Sequence, residues 1–181
     1  MEAFQRFYKI NKEWKLVLVG DGPLKKQLEE FSIKLDINDS VIFTGYKEYE
    51  EVRNIYHRAS CFILPSLTEQ WGLVVNESLA SGIPVLASNR VGSAPNLIEN
   101  KQVGYTFSPN DIDDLVEKMF AILEDFDKVN FKKNTHEVIS KWDGRKYGKN
   151  IYKAATKAID SWENRGAFPI FFLSLFIKIL K

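Results

Sequence analysis

Short apolar runs alternating with segments of helical spacing constrain this chain more than any other feature. KLVLV (15–19) ends at GDGP, and Leu24, Leu28, Phe31 and Leu35 then recur on one helix face. VIFTG (41–45) comes next, followed by a stripe of Tyr49, Val52, Ile55, Tyr56 and Ala59. CFILP (61–65) and PVLAS (84–88) flank a third helical segment, and GYTF (104–107) is a weaker fifth run. From 111 onward Ile112, Leu115, Val116, Met119, Phe120 and Leu123 share a face. Strand, helix, strand, helix at this spacing predicts βαβ units, an α/β fold with a Rossmann-like parallel sheet and helices on both faces. The runs are almost wholly apolar, which predicts strands buried on both sides.

Composition removes several function classes. A chain of 181 residues can bury a full core. A net charge of +1 argues against a dedicated nucleic-acid binder, which carries a basic excess. Cys61 is the single cysteine, so there is no internal disulfide and no Cys/His set for zinc; it reads as a reduced core thiol. The opening stretch, MEAFQRFYKINKEW, is polar and amphipathic, unlike a secretory signal. His57 and His136 join no Ser/His/Asp or metal-ligand spacing.

Open parallel sheets bind ligands at the carboxyl ends of their strands. The loops that matter are therefore GDGP (20–23), the loop opened by Gly45, PSLTEQWG (65–72) and the stretch after Ser88. GDGP places Gly20 and Gly22 around Asp21, with Pro23 at a helix start. Glycines let a backbone approach a ligand closely, although a plain strand-to-helix turn explains them equally well. The GxGxxG and P-loop spacings are both absent. In PSLTEQWGLVVNE, Gly72 begins a helix, Glu69 precedes it, and Glu77 lies five residues in, roughly 7–8 Å along the axis. The amides of Gly72, Leu73 and Val74 would then lie between two carboxylates. Such a set suits a sugar diphosphate: amides for phosphate, carboxylates for hydroxyls. From spacing alone the plain alternative stands, with Glu69 a helix N-terminal charge and Glu77 solvated. Trp71 either shapes the pocket or packs; Trp142 and Trp162 are read as core or interdomain residues.

The stretch PSLTEQWGLVVNESLASGIPVLAS, with its E-x7-E, resembles the signature of retaining family-4 glycosyltransferases of GT-B fold. LVLVGDGPLKKQLEE, VIFTGYKEYEEVRNIYHRASCFILPS and NRVGSAPNLIENKQVGYTFSPND follow the nucleotide-binding half of that family in order, over roughly residues 4 to 160. The resemblance implies one half of a GT-B fold, a nucleotide-sugar-binding domain over residues 1–165 with a helical C-terminus, and an apolar tail over 166–181. It implies a nucleoside-diphosphate sugar, UDP- or GDP-linked, as donor, glycosyl transfer with retention, and no metal or cofactor. By the same resemblance Glu77 binds the ribose hydroxyls and Glu69, the catalytic candidate, orients the donor sugar. The amides of Gly72, Leu73 and Val74 hold the distal phosphate. Gly20, Asp21 and Gly22 line the cleft, and Gly45 and Tyr46 pass near the base. Family habit points to envelope polysaccharide or glycolipid assembly, a sugar or lipid-linked acceptor, and a cytoplasmic place with peripheral contact at the inner face of the membrane.

Two departures temper the enzyme reading. The chain has no room for an acceptor domain, which implies an N-terminal domain or a partner chain. It also lacks the family's first strand with its Gly-Arg and following Lys, the cations that clamp the diphosphate. A lost electrostatic donor costs about 10²–10³ in rate, so the isolated chain is expected to be inactive or nearly so, and a missing strand exposes a sheet edge. A truncated, non-catalytic nucleotide-sugar-binding remnant is the alternative. An epimerase on the same architecture is a third reading, against which the E-x7-E context argues. The tail AFPIFFLSLFIK (167–178) is too short to span a hydrocarbon core of about 30 Å. It is read as packing on another domain, lying in a membrane interface, or being an altered C-terminus.

Overall fold

The computed structural model describes residues 1–142 and 144–163, without the side chains of Trp162 and Glu163, and falls into two units, Met1–Ser140 and Lys141–Lys181. The apolar tail lies outside the described residues.

In the first unit the expected alternation is observed. The order is α1 (Glu2–Tyr8), β1 (Leu16–Val19), α2 (Lys25–Lys34), β2 (Val41–Gly45), α3 (Tyr49–Arg58), β3 (Phe62–Leu64), α4 (Leu73–Ala80), β4 (Val85–Ser88), α5 (Ala94–Leu97), β5 (Gly104–Phe107), α6 (Ile112–Asp125) and α7 (Phe131–Ile139). Local chemistry sets the helix starts. Glu48 and Glu51 close a capping box on α3, and the side chains of Asp111 and Asn130 accept from amides in the first turns of α6 and α7.

All strand pairs are parallel, but the sheet comes in two pieces, β1–β2 and β3–β4–β5. Among the described residues no strand pairs with the second edge of β1 or of β3. Parallel strands in these orders, linked by helices, are of the doubly wound type.

β4 is the buried centre. Leu86 enters a cluster with Phe4, Phe7, Phe107, Met119 and Ile122, under α1 and α6. Val85 and Ala87 point the other way, into Val75, Leu79, Leu97 and Val138, under α4, α5 and α7. Helices therefore cover both faces, as expected. Each fully buried aliphatic side chain contributes about 1.5–3 kcal/mol, which makes β4 the strand least tolerant of change. α1 is held on α6 by Phe7 against Phe120, ring centroids 5.2 Å apart, and by the Arg6–Asp113 ion pair.

The expectation of two-sided burial fails for β1. Leu16 and Leu18 pack on the first cluster, whereas Val17 and Val19 are 39% and 44% exposed. The cause is local: their face and the free edge of β1 have no cover in this unit. Cys61 does lie against the core, and burial pushes its thiol up to about 12. In the second unit α8 (Gly144–Glu163) carries Tyr147, Ile151, Ala155 and Ile159 along one face. Trp142 is 44% exposed, not a core residue.

Candidate donor site

The candidate residues gather in two groups, each at the carboxyl ends of parallel strands. The first group caps β3 and β4. Gly72 precedes α4 with φ +80° and ψ 68°, a left-handed conformation that glycine adopts without strain. A Cβ there would also stand 3.2 Å from Glu69 Cγ, Leu64 Cδ2 and Val91 Cγ1. Conformation and space both demand glycine. No side chain caps α4, so the amides that open it, at Leu73 and Val74, have no side-chain acceptor there. Leu73 is exposed.

Glu69 is tied to this start by its backbone. Its amide donates to the Arg90 carbonyl at 3.3 Å, and its carbonyl accepts from Gly92 N at 2.9 Å. Trp71 O accepts from Ser93 N at 3.2 Å. The loop before α4 and the loop after β4 therefore form a short ladder, with Glu69 opposite Val91. Gly92 makes it possible: a Cβ on Gly92 would sit 1.9 Å from the Gln70 carbonyl oxygen. The Glu69 carboxylate accepts from Trp71 N at 3.4 Å, so it turns toward the helix start. This is the role the plain alternative gave it, and it keeps the carboxylate beside the open amides. Trp71 packs on the second core cluster, and its indole N–H donates to Asn76 Oδ1 at 3.0 Å.

Glu77, in the second turn of α4, is half-buried. Its charge is felt by Tyr56 of α3, whose phenol is pushed up to about 12, first by burial and then by Glu77. The Tyr56 hydroxyl donates to the Val74 carbonyl at 3.5 Å. Glu77 therefore lies beside a buried hydroxyl rather than standing free in solvent.

The second group caps β1 and β2. Gly20 N donates to the Gly45 carbonyl at 3.0 Å, joining the two loops. Gly45 has φ +67°. The Asp21 carboxylate accepts from Gly22 N at 2.8 Å, an Asx-type turn. Tyr46 is exposed. No hydrogen bond or ion pair joins the two groups among the described residues, as expected when each belongs to its own piece of sheet. An open cavity of about 620 Å³ lies at the amino end of β5, lined by Asn100, Gln102, Tyr105 and Asp125 among others; none of the candidate residues lines it. No cluster of three or more His, Cys, Asp or Glu side chains able to hold a metal ion occurs among the described residues.

Sequence reasoning marked the stretch after Ser88 but assigned no residue in it, and it took Tyr56 only as part of an apolar stripe. The structure adds Arg90, Gly92 and Tyr56 to the surroundings of the site. Gly92 in NRVGSAP was the one legible signal, a glycine just past a buried strand.

Comparison with known proteins agrees with this architecture. The pattern of the glycosyl transferases group 1 matches residues 1–138. The sulfoquinovosyl transferase of Arabidopsis thaliana is 35% identical over 150 residues, 81% of this chain and 27% of that protein. The alpha-monoglucosyldiacylglycerol synthase of Streptococcus pneumoniae is 32% identical over 160 residues, 88% of this chain and 35% of that protein. The chain thus spans about a third or less of these relatives' length. Anabaena HepE, solved in complex with UDP and glucose, superposes with a TM-score of 0.73 at 21% identity, over 86% of this chain and 43% of that one, which speaks to the fold. The GT-B-type half-fold, the paired loops at the strand ends and the matched pattern agree: this chain belongs to the glycosyl transferases group 1 family.

Proposed function

We propose that this chain is the donor-binding half of a retaining glycosyltransferase that uses a UDP- or GDP-linked sugar and no metal. The observation that carries the reading is the uncapped start of α4, flanked by Glu69 and Glu77. The amides there and the positive end of the α4 dipole would hold the distal phosphate. As the glycosidic bond breaks, negative charge grows on the diphosphate, and fixed donors aimed at that oxygen lower the barrier. Glu77 would accept from the ribose hydroxyls. Glu69 would accept from the donor sugar and set its orientation, without acting as a covalent nucleophile. Gly20 and Gly22 leave room for the nucleotide, and Gly45 and Tyr46 border the base. The second relative's name supports a lipid acceptor and hence glycolipid assembly, with the chain cytoplasmic and peripheral at the membrane. No described helix is long and apolar enough to cross a membrane.

Calorimetry with UDP and with GDP tests the site. Glu77→Ala should weaken binding of the preferred nucleotide about tenfold or more, since a charged hydrogen-bond acceptor is lost; unchanged affinity would remove Glu77 from the site. The divided sheet favours one second reading, a binding module without turnover. On either reading the 181-residue chain alone should show little or no transfer, and robust transfer to any acceptor would overturn that expectation.

A further inference from the structure

Tyr56 is 7% exposed on α3, yet it is a tyrosine where a phenylalanine would fill nearly the same space without burying a hydroxyl. Its ring is held edge-on to Phe62, with centroids 5.7 Å apart. Among the described residues the hydroxyl has one acceptor, the Val74 carbonyl, at 3.5 Å. That length is the outer limit of a hydrogen bond, and a carbonyl inside a helix already accepts from the amide four residues on. Packing therefore explains the ring, and this contact explains little of the hydroxyl.

The neighbour of the hydroxyl explains more. Val74 and Glu77 stand three residues apart on α4 and so share a face. The Cα–Cβ bond of a helical residue tilts toward the N-terminus, which sets Glu77 over the turn of Leu73 and Val74. The charge of Glu77 reaches the phenol: burial first, and then Glu77, pushes Tyr56 up to about 12. The phenol is thus a protonated donor at any ordinary pH. A carboxylate has about four acceptor positions on its two oxygens, enough for a protein donor and a ligand hydroxyl together. A hydroxyl binds a carboxylate roughly twice as strongly as a neutral group, so Glu77 is the better acceptor of the two.

Resting on the donor-site reading, we propose that Tyr56 is a positioning residue: when a nucleotide binds, its hydroxyl turns from the Val74 carbonyl to the Glu77 carboxylate and holds that carboxylate toward the ribose hydroxyls. The ring is locked by packing, so only the hydroxyl hydrogen and the Glu77 side chain need move. Tyr56 itself touches no ligand. It removes part of the entropy cost of ordering a long, half-buried glutamate. Its effect is therefore read only by ligands that carry the ribose hydroxyls.

The test is calorimetry of the full chain with UDP, GDP and their 2′,3′-dideoxy analogues. Wild type should bind the preferred diphosphate about tenfold or more tighter than its dideoxy analogue, since hydroxyls paired with a charged acceptor are lost. Tyr56→Phe should weaken the ribose diphosphate about three- to tenfold and leave the dideoxy analogue unchanged, so the ratio falls. In a Glu77→Ala background Tyr56→Phe should have no further effect. A tyrosine kept for packing would change both ligands alike, or neither. Either of those results, with Glu77→Ala weakened, would overturn the assignment and leave the donor site standing. So would an undiminished Tyr56→Phe effect in the Glu77→Ala background, or equal wild-type affinity for the ribose and dideoxy ligands. A wild-type chain that binds neither diphosphate, or a Glu77→Ala chain that binds as wild type, would overturn the donor reading and this proposal with it.

Discussion

Gly72 is the position where the account makes its sharpest energetic claim. Alanine at φ +80° enters the left-handed region, at about 1–2 kcal/mol. Its Cβ would also meet three carbons at 3.2 Å, from Glu69, Leu64 and Val91. These come from the preceding loop, β3 and the loop after β4, so no single side chain can yield alone. Overpacking of this kind adds about 1–3 kcal/mol. Gly72→Ala should thus cost about 2–5 kcal/mol, or a fall in Tm of about 4–20 °C for a chain of this size. Gly22→Ala is the internal control, because a Cβ on Gly22 meets nothing within 4 Å and its φ is not left-handed; it should change stability by less than about 0.5 kcal/mol. Urea unfolding of both variants decides the matter. If Gly72→Ala and Gly22→Ala prove equally mild, the tight turn at the start of α4 is wrong, and with it the placement of Glu69 against the open amides.

Other outcomes follow from the same geometry. Gly92→Ala should destabilise by about 1–3 kcal/mol or more, since its Cβ would collide with the Gln70 carbonyl at 1.9 Å; a neutral result would dissolve the ladder between the two loops. Val85→Ala, inside the central strand, should cost about 1–3 kcal/mol, while Val17→Ala on the uncovered face of β1 should cost less than about 0.5 kcal/mol, by chemical denaturation. Tyr56 and Cys61 are each held at about 12 in the fold, above their ordinary 10 and 9. Their protonated forms therefore favour the folded state below pH 9, and that contribution fades as pH rises to 12. A stability profile over that range should fall, and Tyr56→Phe should flatten part of the fall above pH 10.

The strands were legible to within a residue because apolar runs bounded by Gly, Pro or polar residues leave few alternatives. PVLAS gave Val85–Ser88 and GYTF gave Gly104–Phe107. Burial was less legible. Apolarity in KLVLV says that both faces want cover, and only the tertiary structure shows that Val17 and Val19 lack it. The helix start at Gly72 and the position of Glu69 ahead of it were readable from local chemistry. The pairing of Glu69 with Arg90 and Gly92 was not, because it joins loops more than twenty residues apart with no periodic mark in the sequence.

The central claim is that a nucleoside diphosphate binds around the start of α4. Backbone amide NMR during titration with UDP and with GDP tests it most directly. The account predicts saturable shifts for one of the two nucleotides, largest at Gly72, Leu73 and Val74, with a second set at Gly20, Gly22 and Gly45. Shifts confined to the cavity at the start of β5, around Asn100 and Tyr105, or no saturable shift with either nucleotide, would contradict it.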